Sequence, residues 1–343
     1  IDASNFTTDE VLFSYYEVPV VTAIAPTGGP TASGASTMVT VRGQSLGGGS
    51  DYRCRFGERE VRAFFEPEDG GDGGNMTCTS PVGLAAGRVA LEVSLNGQQH
   101  SRSMVQFMYD EPEVVTSLSP SCGTSAGATL VRVHGRNFHE FEERVCRFAG
   151  SATRATWVSS EELRCVSVPA EALGSPISLE ARSVSVEVAS NGQQFSSSSV
   201  QFTYAAPPTV SSFFPERGPE SGLTHVVVVG ANLAVASHYA CRFGDLSVRA
   251  SYDPRDGAIH CASVAQSPGP RPLEVSLNAQ QYTTSAVNFT YYPNPSVSSF
   301  SPDAGPAAGG TLVRLYGSGL DAGMEYRCNF GGVVVVSTLD GEG

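Results

Sequence analysis

The chain consists of short segments in which apolar and polar residues alternate, separated by turns rich in Gly, Pro, Asn and Ser. One such segment, EVSLNGQQ at residues 92–99, returns as EVASNGQQ at residues 187–194 and as EVSLNAQQ at residues 274–281. Alternation with a period of two predicts strands with one buried face, and no window keeps the apolar period of a helix beyond a turn or two. The pattern therefore predicts a chain made almost entirely of β-strands.

The recurrence of these segments indicates a repeat of whole domains, because a period of about 90 residues is the size of one small domain. A CRF or CNF strand recurs in register, and DASNFTTDEVLFSYY at the start of the chain resembles the end of a repeat. The predicted domains are the terminal strands of a preceding repeat at 1–17, complete repeats at 18–110, 111–205 and 206–292, and the N-terminal part of a further repeat at 293–343. The junctions YDEPE, YAAPPT and YYPNPS contain proline and are expected to be stiff.

The repeated segment itself predicts a β-hairpin near the end of each domain. EVSL is the outgoing strand, NG provides the positive backbone angles of a tight turn, and VQFMY at 105–109 is the returning strand. Polar tip residues such as Gln98 and Gln99 are most simply solvated. A binding loop at this tip remains the alternative.

The stretch PSVSSFSPDAGPAAGGTLVRLYGSGL at 295–320 resembles the opening strand, glycine-rich loop and second strand of the IPT/TIG domain, found in plexins, Met-type receptors and some transcription factors. The segments that begin at residues 112 and 208 keep the same pattern with more substitutions. The resemblance implies an all-β fold of tandem immunoglobulin-like β-sandwiches in a rod-like array. It implies little about function, because one fold serves many functions.

Two cysteines recur in each complete repeat, which predicts one disulfide per repeat and an oxidising compartment. A loop of about 20 residues closed in this way contributes roughly 3 kcal/mol by chain entropy. The expected pairs are Cys54 with Cys78, Cys146 with Cys165, and Cys241 with Cys261.

Two further cysteines, Cys122 and Cys328, have no partner in this scheme. We expect Cys328 to pair beyond Gly343. For Cys122 we expect an intermolecular or inter-repeat bond, because its counterparts in the other repeats are not cysteine. A free reactive thiol and a buried inert cysteine are the alternatives.

Other chemistry is sparse. No cysteines or histidines have the short spacing of a zinc motif, so no metal or cofactor is expected. Asp69 and Asp72 lie in a glycine-rich stretch that partly mimics a calcium loop, but a single copy favours a plain loop. Three N-x-[ST] sequons predict N-linked glycans at Asn5, Asn75 and Asn288, the last only if its side chain points outward.

Catalysis is not expected either. No histidine is paired in sequence with a candidate nucleophile, so we expect the histidines to be surface or half-buried residues: His134, His139, His225, His238 and His260. The formal net charge of −13 disfavours nucleic acid as a partner. No apolar run approaches the 18 residues of a membrane span.

Four functions fit these features. The hypothesis placed first is a non-enzymatic, extracellular structural or adhesive protein whose chains associate into a rigid rod or surface filament. The alternative is the ectodomain stalk or ligand-binding region of a plexin-like or Met-like receptor. A transcription factor would need a basic recognition loop and a reducing compartment, and a module of a carbohydrate-active enzyme would need a catalytic domain elsewhere.

Overall fold

The computed structural model of the 343-residue chain describes residues 10–31, 36–68, 74–174, 181–285 and 287–340. Within these ranges the chain forms β-strands and loops, with a single 3-10 helix at Ala170–Leu173. The all-β expectation is therefore confirmed. No helix in the described ranges is long and apolar enough to cross a bilayer. The candidate glycan site Asn5 and the candidate calcium residues Asp69 and Asp72 lie outside the described residues.

Each complete repeat forms eight or nine strands, numbered here along the chain. The first repeat contains β1 (Val20–Ala25), β2 (Gly28–Pro30), β3 (Met38–Gln44), β4 (Arg53–Phe56), β5 (Arg59–Pro67), β6 (Gly74–Thr79), β7 (Gly87–Ser94) and β8 (Val105–Asp110). The second contains β9 (Val114–Ser119), β10 (Cys122–Thr124), β11 (Leu130–Arg136), β12 (Val145–Phe148), β13 (Ser151–Ser159), β14 (Glu162–Val166), β15 (Arg182–Ala189) and β16 (Val200–Ala205).

The third repeat has one more strand, and the last segment of the chain has four. The third contains β17 (Thr209–Phe214), β18 (Arg217–Pro219), β19 (His225–Ala231), β20 (Ala240–Phe243), β21 (Leu246–Arg249), β22 (Ser251–Asp253), β23 (Ala258–Ala262), β24 (Gly269–Ser276) and β25 (Asn288–Tyr292). The last segment contains β26 (Ser296–Ser301), β27 (Arg314–Ser318), β28 (Tyr326–Phe330) and β29 (Val333–Ser337), which pair as β26 with β27 and β28 with β29.

Two β-layers pack face to face in each complete repeat. In the first repeat one layer is β1-β3-β6, joined by the second half of β5, and the other is the first half of β5 followed by β4-β7-β8-β2. The second repeat has the same order, and the third breaks the shared strand into β21 and β22. All neighbours are antiparallel except the short second strand of each repeat, which runs parallel to the last strand.

The core of each repeat lies between the two layers, where alternate side chains point inward. In the first repeat Val93 and Phe107 are fully buried, and the ring of Phe107 meets that of Phe56 edge to face at 5.2 Å between centroids. One disulfide in each repeat joins the layers through this core: Cys54–Cys78, Cys146–Cys165 and Cys241–Cys261. The recurring cysteines thus serve as cross-links inside each sandwich.

The hairpin expected from the repeated segment forms, and Gly97 in its turn has the expected positive φ, at 70°. The chain turns within residues 95–99, where Ser94 bridges to His100. Regular pairing of β7 with β8 runs only from Gly87↔Tyr109 to Leu91↔Val105, so residues 95–104 lie between the two strands. Asn96 shapes the turn, since its Oδ1 accepts hydrogen bonds from the amides of Gln98 and Gln99.

The buried carboxylate of Glu92 accounts for the longer return. Its side chain accepts hydrogen bonds from the Ser101 hydroxyl and from the amides of Ser103 and Met104, at 2.9 and 2.8 Å for the two amides. A buried charge is tolerated only when hydrogen bonds replace its hydration. In the first repeat this glutamate therefore fixes the path of the returning chain, and Glu274 bonds Thr283 and Ser285 in the same way, whereas Glu187 of the second repeat accepts from Arg147.

Candidate functional site: the junctions between repeats

The tips of the second and third repeats contact the repeat before them. At the first junction the Oε1 atom of Gln193 accepts the Met38 amide at 2.9 Å, and its Nε2 donates to the Met38 carbonyl at 2.8 Å. These backbone groups are available because the pairing of β1 with β3 ends at Thr40. The side-chain amide of Gln193 thus takes the place of a strand partner for one residue of β3.

Gln194 and Asn191 complete this contact. We call it the amide clasp: the asparagine and two glutamines of one hairpin tip together with the strand edge of the preceding repeat that they contact. Gln194 donates from Nε2 to the Ser36 carbonyl at 2.8 Å, and its Oε1 accepts the Thr37 hydroxyl at 3.0 Å. The side-chain Nδ2 of Asn191 donates to the carbonyl of Gly28 at 3.2 Å, while its Oδ1 accepts hydrogen bonds from the backbone amides of Gln193 and Gln194. The asparagine therefore orients both glutamines toward the neighbouring repeat.

The second junction repeats the arrangement. The Oε1 atom of Gln280 accepts the Leu130 amide and its Nε2 donates to the Leu130 carbonyl, both at 2.9 Å. Gln281 donates to the Ala128 carbonyl at 3.1 Å and accepts the Thr129 hydroxyl at 3.1 Å. Met38 and Leu130 have different side chains, so the clasp depends on backbone geometry at this edge and on the threonine beside it.

The tip of the first repeat provides a contrast. In the described part of the chain, the hydrogen bonds of Gln98 and Gln99 stay within their own loop, with Asn96. The interpretation of these tips as merely solvated turns is therefore wrong for the second and third repeats. The alternative of a binding loop describes those two tips, and what they bind is the preceding repeat.

Side-chain volume also matches across the junctions. A Cβ placed on Gly28 would lie 2.5 Å from the ring of Phe141, so the glycine gives this ring room against the first repeat. In the second repeat the counterpart of Gly28 is Cys122, and in the third the counterpart of Phe141 is Ala236. At the first junction the larger residue of the two positions is Phe141, in the later repeat. At the second junction it is Cys122, in the earlier repeat.

Cys122 is buried inside the second junction. Its side chain is 2% exposed, and its sulfur lies 3.6 Å from the Leu277 carbonyl and 3.5 Å from the Ser237 hydroxyl. The intermolecular bond expected from the sequence would require this junction to open. The structure places Cys122 as the buried thiol that was the alternative. Cys328 is half-buried, with no disulfide partner in the described ranges.

Ionisable groups are concentrated at the first junction. Burial raises the pKa of Glu113 to about 7, against the hydrogen bonds from Ser190, whose amide donates to its Oε1 at 2.7 Å. Burial also raises the pKa of Asp110, which lies 3.5 Å from the His139 Nε2 atom. The linker between the first two repeats therefore carries acidic groups that titrate at higher pH than usual.

The remaining candidate residues are distributed over the surfaces of the repeats. Asn75 is half-buried in β6, whereas Asn288 is exposed in β25 and points outward, as its glycosylation would require. His225 and His260, distant in sequence, lie on adjacent strands with their ring nitrogens 3.4 Å apart. Trp157 packs against the core of the second repeat and donates to the Phe138 carbonyl. The sequence did not indicate the histidine pair, because only the pairing of β19 with β23 brings the two together.

The fold and its clasped junctions define a tandem array of immunoglobulin-like domains. Residues 19–109, 114–204, 208–291 and 295–341 match the IPT/TIG domain, and the chain belongs to this family.

The chain is similar to plexins. It is 26% identical to mouse Plexin-B2 over 224 residues and 28% identical to zebrafish Plexin-A4 over 215 residues, which is 65% and 60% of this chain. The matches span only 12% and 11% of those relatives. The solved extracellular region of Plexin A4 aligns with 87% of this chain and 26% of that structure, with 19% identity and a TM-score of 0.49. The sequence similarities favour the receptor ectodomain over the filament that the sequence analysis placed first.

Proposed function

We propose that this chain is a non-enzymatic segment of the extracellular stalk of a plexin-like cell-surface receptor. The amide clasp at two successive junctions carries this proposal. A stalk must hold its terminal domains in a defined orientation, and a clasp across each short, proline-containing linker restricts rotation there. The similarity to plexins supports the receptor class.

The chemistry of the chain suits the outside of a cell. Disulfides inside each sandwich persist in an oxidising compartment and are rare in the cytosol. Asn288 is exposed on β25 within an N-F-T sequon, so its side chain is accessible for glycan attachment. The acidic surface, with a formal net charge of −13, opposes binding to nucleic acid.

An antibody raised against the folded chain tests the proposal in the organism that encodes it. We expect it to stain intact, non-permeabilised cells, and we expect the antigen to need detergent for extraction and to include a membrane-spanning segment in peptide mapping. Staining that requires permeabilisation would contradict an extracellular stalk. Recovery as a polymer without a membrane-spanning segment would contradict the receptor and favour the filament.

A further inference from the structure

Two histidines and two aspartates meet on the surface of the third repeat. His260 lies on β23, His225 begins the adjacent strand β19, and Asp253 and Asp256 lie at the end of β22 and in the turn that follows. One ligand atom each from Asp253, Asp256 and His260 lies within 4.8 Å of the other two. Strand pairing brings them together, because β23 runs between β19 and β22.

The turn holds both carboxylates in place before any ligand is bound. Asp253 accepts the Arg255 amide through Oδ1 at 2.9 Å, and Asp256 accepts the Ala258 amide through Oδ1 at 3.0 Å. Each carboxylate therefore keeps its second oxygen for another partner. The Oδ2 atom of Asp256 lies 2.9 Å from the His260 Nε2 atom, so one oxygen and one nitrogen donor already converge.

His225 supports His260 from the other side of the ring. Its Nε2 atom lies 3.4 Å from the His260 Nδ1 atom, and the two ring centroids are 5.2 Å apart. When Nε2 of a histidine coordinates a metal, Nδ1 carries the proton and donates it to a second residue that fixes the ring. The Nε2 atom of His225 lies at the position of that second residue's acceptor.

We propose that Asp253, Asp256 and His260 bind a zinc ion, with His225 as the positioning residue for His260. Zinc bonds of about 2.0–2.1 Å to nitrogen and carboxylate oxygen place neighbouring tetrahedral donors roughly 3.3 Å apart, so the contact between Asp256 and His260 widens by a few tenths of an ångström. Two carboxylates balance the charge of the dication, and water completes the coordination.

The donor set distinguishes zinc from calcium. Calcium takes six to eight oxygen ligands, whereas this cluster offers one imidazole nitrogen and two carboxylates on a regular sheet face. Imidazole with carboxylate is a donor set for zinc and its transition-metal neighbours. The short-spaced zinc motif sought in the sequence consists of cysteines and histidines, whereas this site, within residues 253–260, has two aspartates and a single histidine as ligands.

Zinc titration of the metal-free 343-residue chain, followed by calorimetry, tests the proposal. We expect one saturable zinc for each chain, lost in His260→Ala and weakened by about ten- to a hundredfold in His225→Ala. His238→Ala is the matched control, because His238 is an exposed histidine of the same repeat whose ring hydrogen-bonds Ser237. It should bind zinc as the unsubstituted chain does.

Three results would overturn the assignment. The first is the absence of saturable binding by the unsubstituted chain. The second is equal binding by His260→Ala, which would place the metal elsewhere, for example on the thiol of Cys328. The third is complete loss in His225→Ala with full retention in Asp253→Asn, which would make the two histidines the ligands. Circular dichroism of each metal-free variant establishes that the third repeat is folded before the titration.

Discussion

Removing the two glutamines of one clasp should open one junction and leave the repeats folded. In Gln193→Ala/Gln194→Ala, four hydrogen bonds to the first repeat disappear, two from each glutamine. A hydrogen bond contributes roughly 0.5–1.5 kcal/mol net, and the lower value applies here because water can reach the freed groups of Met38. The clasp therefore stabilises the docked junction by about 2 kcal/mol. This loss raises the undocked fraction about thirtyfold.

Amide hydrogen exchange at Met38 tests the clasp. The Met38 amide donates to Gln193 and loses that acceptor in the double variant, so its protection should fall by at least the thirtyfold expected from opening of the junction. The Leu130 amide is held in the same way by Gln280 at the other junction and should be unchanged. An isosteric variant, Gln193→Glu, keeps an acceptor for the Met38 amide but loses the donor to its carbonyl, and should give a smaller effect.

The first repeat supplies the matched control. Gln98→Ala/Gln99→Ala removes the same residues from a tip whose described hydrogen bonds stay within its own loop. It should leave exchange at Met38 and Leu130 unaltered in the 343-residue chain. Unchanged protection of Met38 after loss of Gln193 and Gln194 would refute the clasp. An equal loss at Leu130 would show general destabilisation instead.

Three further predictions concern single residues. The rise in the Glu113 pKa from 4.5 to about 7 favours the protonated carboxyl in the folded state. The second repeat should therefore lose up to about 3 kcal/mol of folding stability as pH rises through this window. Glu113→Gln should remove that pH dependence when unfolding is followed by the fluorescence of Trp157, the only tryptophan, and an equal slope in both proteins would disprove it. Cys122 should resist iodoacetamide in the native chain and react after unfolding, and rapid native labelling would show that the junction opens. Asn288 should carry a glycan in native material, which mass spectrometry of the peptide decides.

The fold followed from the sequence because each of its determinants is local or periodic. Alternation gave the strands, and recurrence of the cysteine pairs gave the disulfides, since every repeat must close its own core. The function of the tips did not follow, because Gln193 and Met38 lie 155 residues apart and neither is unusual in its own segment. Polar hairpin tips are solvated in most proteins, so nothing local marked these as contacts.

The buried state of Cys122 was missed for a related reason. Cys122 is buried by residues of the next repeat. An alignment of the repeats could not show this, because it compares equivalent positions and not positions that are in contact. The positions that touch across the junctions are Gly28 with Phe141, and Cys122 with Ser237 and Leu277. Such pairs become visible only once the order of contact between repeats is known.

The repeated segment serves two sets of contacts at once, and this explains its persistence. Its first half acts inside the repeat, where Glu92 anchors the returning chain and Val93 fills the core. Its second half acts on the neighbour in the second and third repeats, through the backbone groups and the threonine hydroxyl that the preceding repeat presents at the same edge. The clasp is therefore the same at both junctions and does not distinguish one from the other.

The side chains beside the clasp are where the two junctions differ. Gly28 accommodates Phe141 at the first junction, whereas a cysteine in place of that glycine would meet the ring, since a Cβ there approaches it to 2.5 Å. Discrimination of this kind needs only a steric clash against the wrong neighbour. The clasp common to both junctions holds neighbouring repeats together, and the volumes beside it make the first junction sterically different from the second.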